Sequence, residues 1–341
     1  MSKLRFNPII GEWVIFATER ATRPNDFTSR RARAMLPVYK TSCPFCPGNE
    51  QATQSQTLRL CDADGSWAVR AVENKFPTLS PVGPVMVSGS EYQLTISGVG
   101  RHEVVVETPA HHLNPALLPV DQIVKILNTY RNRMDEFYQD PRIKHVTIFK
   151  NHGEGAGSSQ EHPHSQVIGT PVVPAQVERR LALALHHHAS KGMCLYCHSL
   201  EQELADGSRI VAENDCFVAL LPYAALSPFH VWVFPRVHRA YFGDISEPET
   251  RQLARMLKEV LLRVYVGLGN PDYNFVIRSL SPADRDAAHY HWYVSIVPRV
   301  SQTAGFEMGT GMFVNSALPE HSAKFLREVS LSSDSENAAV A

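Results

Sequence analysis

Residues 145–166 read His145-Val-Thr-Ile-Phe-Lys-Asn-His-Gly-Glu-Gly-Ala-Gly-Ser-Ser-Gln-Glu-His-Pro-His-Ser-Gln166. The opening run, His145 to Lys150, is β-branched and aromatic and predicts a strand. Next comes a glycine-rich loop, Asn151 to Ser159, expected to offer bare backbone N–H groups and two hydroxyls to a phosphate. It lacks the G-x-G-x-x-G spacing of a dinucleotide fingerprint. The segment ends on His162-Pro-His164. In an extended chain residues i and i+2 face one side, so both imidazoles are expected to project into one site. A neutral imidazole, with an ordinary pKa of about 6.5, is nucleophilic at one nitrogen once a hydrogen bond holds the other. Loop and histidines together predict phosphoryl or nucleotidyl transfer through a phosphorylated imidazole. The plain alternative is two histidines packed on a strand.

Outward from this segment, Ile123, Leu127, Tyr130, Met134 and Phe137 recur at helical spacing, and Pro141 closes a helix expected near 121–138. The same order returns downstream. Ser246 with Glu249 forms a capping-box signature ahead of Leu253, Met256, Leu257, Val260, Leu261 and Val264. This second helix, near 247–266, ends towards Gly267 and Gly269, and Tyr273–Arg278 follows as a strand. Trp13–Phe16 and Val104–Val106 add strands, and Thr18–Lys40, rich in arginine, reads as a loop. Each half thus runs Cys-x-x-Cys, strand, histidine, helix, strand, His-x-His. The first set is Cys43/Cys46, His111 and His162/His164; the second is Cys194/Cys197, His238 and His289/His291. The spacing from His111 to His162 equals that from His238 to His289, which points to duplication. Pro174–Lys191 is the expected joint, helical over Val177–Leu185, with His186–His188 as an exposed helical end. The expected class is α+β, with units at 1–175 and 176–331 and a disordered polar tail at 332–341.

At 341 residues, two domains are the prior. Lys+Arg 33 against Asp+Glu 34 leaves a net charge of −1, without the basic excess that nucleic acid or anionic lipid would attract. No run approaches the roughly 18 apolar residues of a membrane span, and the N-terminus lacks a signal-peptide core. A soluble globular protein of a reducing compartment, the cytoplasm, is expected.

Cys43-Pro-Phe-Cys46 and Cys194-Leu-Tyr-Cys197 have the spacing that wraps one metal ion, though buried free thiols or a redox pair would share it. A single ribbon needs about 15–20 residues between its pairs, far fewer than separate Cys46 from Cys194. Two Cys₂His₂ sites, each using histidines of its own half, are expected, and zinc suits thiolate plus imidazole. Cys61 and Cys216 read as packed residues.

Together these residues resemble the galactose-1-phosphate uridylyltransferase branch of the histidine-triad superfamily, from the Trp13 strand to Gly305–Gly311. The resemblance implies two histidine-triad-like halves, mainly antiparallel sheet with flanking helices. It implies His164 as the nucleophile that takes a nucleotidyl group from a nucleotide sugar. Gln166 would hold the phosphoryl oxygens, where related hydrolases carry a third histidine. Cys43, Cys46, His111 and His162 would bind a first zinc, with His112 the competitor of His111. Arg20 and Arg23 match arginines near substrate phosphates, and Asn151, Gly157, Ser158 and Ser159 the phosphate loop. Asn74 and Phe76 match nucleotide contacts, and Glu307 a sugar-hydroxyl contact.

The best-known members complete a second metal site with a glutamate and three histidines. Here Cys194 and Cys197 stand in, with His238 and His291 finishing a second zinc site and His289 the alternative to His291. Lys75, Ser165 and the Gly-Thr-Gly segment are similar to the ADP-glucose phosphorylase branch, which moves an adenylyl group to phosphate; Pro163 departs from that branch's serine. The implied function is exchange of UMP between UDP-glucose and galactose 1-phosphate through a uridylyl-histidine, in a homodimer. The alternatives are adenylyl transfer to phosphate, a nucleotide hydrolase, and a zinc-dependent binding protein without catalysis.

Overall fold

The structure is a computed structural model and describes residues 2–17, 19 and 36–331. Arg20, Arg23, most of the Thr18–Lys40 loop and the tail at 332–341 lie outside the described residues. In chain order the first strands are β1 (Lys3–Asn7), β2 (Glu12–Phe16), β3 (Gln56–Cys61), β4 (Trp67–Glu73), β5 (Val87–Ser88), β6 (Thr95–Ile96) and β7 (Arg101–Val106). Helix α1 (Val120–Tyr138) separates these from β8 (His145–His152) and β9 (His164–Thr170). Helices α2 (Ala175–Lys191) and α3 (Leu195–Asp206) then lead to β10 (Ile210–Glu213), β11 (Phe217–Leu220) and β12 (Val231–Pro235). After α4 (Glu247–Leu268) come β13 (Tyr273–Arg278) and β14 (Tyr293–Pro298), and α5 (Gly305–Thr310), β15 (Phe313–Asn315) and α6 (Pro319–Glu328) follow.

Among the described residues, ten strands form one antiparallel sheet in the order β10-β11-β12-β14-β13-β8-β9-β7-β4-β3. From either edge the connectivity is the same: β3-β4-β7-β9-β8 repeats as β10-β11-β12-β14-β13. The two sets of five meet where β8 pairs with β13, from His152↔Tyr273 to Ile148↔Ile277. The class is α+β with a mainly antiparallel sheet. β1, β2 and β15 make a separate three-stranded sheet.

The helices follow from their apolar stripes. Ile123, Leu127, Tyr130, Met134 and Phe137 of α1 are all buried, as are Leu253, Leu257, Val260 and Val264 of α4. Each such side chain contributes about 1.5–3 kcal/mol on burial. Ser246 and Glu249 close the capping box that starts α4, and Gly269, at φ 70°, ends it. Both helices cover the same sheet face, whose inward residues include Val105, Ile148, Val167, Val233, Phe275 and Val294. The joint is more helical than the sequence suggests: α2 runs through His186–His188 and stops at Gly192, at φ 72°. On the opposite face, α2 and α3 pack over β11, β12 and β14 through Ala184, Leu195, Tyr196, Trp232 and Tyr293.

Candidate active site

β9 begins at His164, and the loop before it carries His162 towards the two cysteines. Cys43, Cys46, His111 and His162 are buried, and one ligand atom of each lies within 4.8 Å of the others. Cys46 Sγ is 3.4 Å from His111 Nδ1 and 3.7 Å from His162 Nδ1, and Cys43 Sγ is 3.6 Å from His162 Nδ1. The two Nδ1 atoms are 3.3 Å apart. His162 Nε2–H donates to Thr108 O at 2.8 Å, which turns the Nδ1 lone pair to the sulfurs. His111 joins this group; His112 does not. The four residues could hold a metal ion.

Cys194, Cys197 and His238 form a second such group. His238 Nδ1 and His291 Nδ1 lie 3.2 and 3.3 Å from Cys197 Sγ. His289 instead brings its backbone oxygen to Cys194 Sγ, at 3.4 Å, while its ring lies against His188.

The strand register revises the alignment of the two halves. β7 and β9 pair Val104 with Gln166 and Val106 with His164, whereas β12 and β14 pair Trp232 with Ser295. β8 and β9 pair Phe149 with Gln166, and β13 and β14 pair Val276 with Ser295 and Arg278 with Tyr293. His291 therefore occupies the place of His162, Tyr293 that of His164, Ser295 that of Gln166, and Arg278 that of Asn151. Equal spacing in sequence had matched His289 to His162, because the loops before β9 and β14 differ by two residues. The position of His164 is a buried tyrosine in the second half, packed on Phe234 and Trp232.

His162 and His164 do not share one task either. His164 Nδ1–H donates to the backbone oxygen of His162 at 2.8 Å, so the lone pair of the neutral ring sits on Nε2. His164 lines two cavities. One, about 500 Å³, is lined by Lys150, Asn151, Gly153, Ser158 and Ser159. The other, about 280 Å³, is lined by Phe45, Asn74, Phe76, His102 and Gln166. Burial, and then the charge of Lys150, hold His164 below the usual histidine pKa, so the ring is neutral at pH 7.

The glycine-rich loop differs from expectation. The N–H groups of Ala156, Gly157 and Ser158 bond to loop carbonyls, and Gly155 N–H donates to Asp272 at 2.5 Å. Gly153 and Gly157 sit at φ 87° and 86°, so the glycines serve to close this turn rather than to bare its amides. Asn274 Nδ2 donates to Asn151 Oδ1 at 2.8 Å and to Ala156 O at 2.9 Å, bracing the loop from the second half. Ser158 Oγ–H donates within the loop, to Gln160 O. Ser159 faces both cavities.

Gln166 is oriented by a residue the sequence did not single out. Thr78 N–H donates to His102 Nδ1, so His102 Nε2–H donates to Gln166 Oε1 at 2.7 Å. This leaves the Gln166 amide N–H groups available at the cavity that Gln166 lines. Asn74 Oδ1 accepts from Phe76 N–H, and the Phe76 ring stands 81% exposed at the cavity rim. Glu307 accepts from Ala304 N–H in α5 and lines neither cavity beside His164.

Beneath His164 lies a second unforeseen group. Lys150 Nζ donates to Glu107 Oε2 at 2.7 Å and to His164 O at 2.9 Å. The Tyr130 hydroxyl lies 3.0 Å from Glu107 Oε1 and 2.7 Å from Ser165 Oγ. Burial and the Glu107 charge raise the Tyr130 pKa, which keeps it a donor. Ser165 thus anchors β9 to α1. Scattered over the residue after β7, α1, β8 and β9, these residues form no local motif.

The sequence profile described as galactose-1-phosphate uridyl transferase, N-terminal domain, matches residues 1–174. The chain belongs to the galactose-1-phosphate uridylyltransferase family. A profile for a domain of unknown function matches residues 111–337. Within the family, the chain is 35% identical over 333 residues to an ADP-glucose phosphorylase of Arabidopsis thaliana, covering 96% of this chain and 93% of that one. It is 28% identical to the galactose-1-phosphate uridylyltransferase of Thermotoga maritima, covering 96% and 98%. A crystal structure of an A. thaliana ADP-glucose phosphorylase with bound ADP-glucose superposes with a TM-score of 0.82 at 32% identity, covering 97% of this chain and all of that one. No helix among the described residues is long and apolar enough to cross a membrane.

Proposed function

We propose that this family member is a nucleotidyltransferase that moves UMP between UDP-glucose and galactose 1-phosphate by way of His164. The supporting observation is the His164 ring, neutral, fixed at Nδ1, with its lone pair on Nε2, in a residue that lines two cavities. His164 Nε2 attacks the α-phosphorus; the N–P bond forms as the bond to the bridging oxygen breaks, and glucose 1-phosphate leaves. A phosphoryl oxygen of galactose 1-phosphate then displaces the imidazole, giving UDP-galactose. Negative charge grows on the non-bridging oxygens in both steps, where Gln166 and Ser159, with Arg20 and Arg23, are proposed to donate. Asn74 and Phe76 would flank the nucleoside, Asn151, Gly157 and Ser158 shape the loop, and Glu307 contact the sugar. Catalysis is assigned to residues 1–175 and bracing to 176–331.

Zinc is proposed for both Cys₂His₂ groups, the second with His238 and His291. Tetrahedral bonds of about 2.0–2.3 Å place two nitrogens about 3.3 Å apart, and nitrogen and sulfur about 3.5 Å apart. The spacings of 3.3 Å and 3.4–3.7 Å in the first group fit. With four protein ligands and no open position, bound zinc supplies rigidity: it fixes His162, whose carbonyl in turn holds His164. The proposal includes a homodimer, supported by Leu4, Phe6 and Trp13, exposed on one face of the β1–β2 hairpin. A cytoplasmic setting is supported by free cysteines.

The test is mass spectrometry after rapid mixing with UDP-glucose. A uridylyl adduct on His164 is expected; turnover without any adduct refutes the covalent route. A second reading, adenylyl transfer from ADP-glucose to phosphate, is favoured by the 35% identical relative. Comparing kcat/KM for the two donors decides between them. Binding without turnover of either would leave a metal-dependent binding protein.

A further inference from the structure

The register that places Tyr293 where His164 stands also places Arg278 where Asn151 stands, beside the counterpart of the catalytic ring. His230 and Ser295 replace His102 and Gln166 and stay in contact, at 2.8 Å instead of 2.7 Å, with the direction reversed: the Ser295 hydroxyl donates to His230 Nε2. The second half therefore retains the outline of the first half's phosphate-binding corner while losing its nucleophile.

Its donors lack acceptors. Arg278 Nε and one terminal nitrogen of Arg180 are buried without a hydrogen-bond partner. Arg180 lies on α2, one turn from Val177 and Ala184, the residues that this helix buries. Trp232 Nε1–H donates to His230 Nε2 at 3.0 Å, so the neutral ring carries its proton on Nδ1, and that atom too is buried and unpartnered. Burial and the charge of Arg180 lower the Arg278 pKa, and the same two guanidinium charges, after burial, push His230 down to about 3. Neither arginine forms an ion pair among the described residues. Three buried donors and two like charges without an acceptor make a costly arrangement unless something negative completes it. A tetrahedral oxyanion has the acceptors and the charge for guanidinium groups.

We propose that the second half holds a non-catalytic oxyanion site, in which Arg180, Arg278 and His230 bind a phosphate group, either inorganic phosphate or the phosphate of a small ester. The site does not depend on which nucleotide His164 carries. Equilibrium dialysis of the metal-loaded full chain with radiolabelled inorganic phosphate counts bound phosphates, with hexose 1-phosphate as competitor to separate the two sources. The variant Arg180→Met/Arg278→Met should lose one phosphate per chain while still forming the His164 adduct. Wild-type melting temperature should rise with phosphate, and that part of the rise should vanish in the variant. Crystals grown with tungstate should show an anomalous peak between Arg180 and Arg278, which also decides the matter if the double variant fails to fold. An unchanged phosphate count, or tungstate in the His164 cavities with none at the arginines, overturns the proposal. A tungstate peak with no loss of phosphate in the variant marks an adventitious ion only, and overturns it as well.

Discussion

Replacing Lys150 by methionine separates the support of His164 from His164 itself. The ammonium lies 2.7 Å from Glu107 and 2.9 Å from the His164 carbonyl, and the two side chains are 3% and 0% exposed. Methionine keeps the stem but leaves Glu107 charged, buried and unpaired. Removing one partner of such a pair costs about 3–5 kcal/mol. At roughly 2–4 °C per kcal/mol for a chain of this class, the melting temperature should fall by on the order of 10 °C. Glu107→Gln/Lys150→Met should recover much of that, because the amide brings no charge to bury. His164 also loses a neighbouring positive charge, so its pKa should rise towards the usual value, and the acid limb of kcat/KM should move to higher pH. Urea unfolding of metal-loaded protein and a pH profile of kcat/KM provide the two measurements. Stability within about 0.5 kcal/mol of wild type would refute the pairing role of Lys150, and an unmoved acid limb would refute its effect on His164.

In His164→Gly, the adduct and turnover should vanish while metal content, by elemental analysis, stays at the wild-type level. Cys46→Ser should act the other way round, losing metal and fold together, since binding and folding are coupled; chelator-induced loss of circular dichroism checks it. His145 and His230, held near pKa 4 and 3 by burial, accept protons only when unfolded between pH 6.5 and about 4.5. Stability should therefore fall as pH drops through that window, by up to about 5 kcal/mol for the pair; flat urea midpoints across it would contradict this. Ser246→Ala should cost about 0.5–2 kcal/mol by removing the cap of α4, with catalysis untouched.

The helices and the strands beside them were legible because their apolar residues keep a clear period: α1, α4 and β13 lie close to where their side chains predict. β11 and β12 were not, since both are buried on both faces and read as short apolar runs without alternation. Clustered cysteines and histidines showed which residues meet, but not which histidine of a His-x-His pair turns inward. That depends on two residues of loop length before β14, which spacing alone had assigned wrongly. The loop amides misled in a similar way, because glycine content signals a tight turn without saying where its N–H groups point. Lys150, Glu107, Tyr130 and His102 come from separate elements, and only the sheet register brings them under β9.

Asn274 and Asp272 belong to the half in which Tyr293 stands at the position of His164, yet they hold the loop beside that histidine. The second half is thus a buttress: a change at Asn274 or Asp272, on the far side of the β8–β13 seam, should be felt in the loop beside His164.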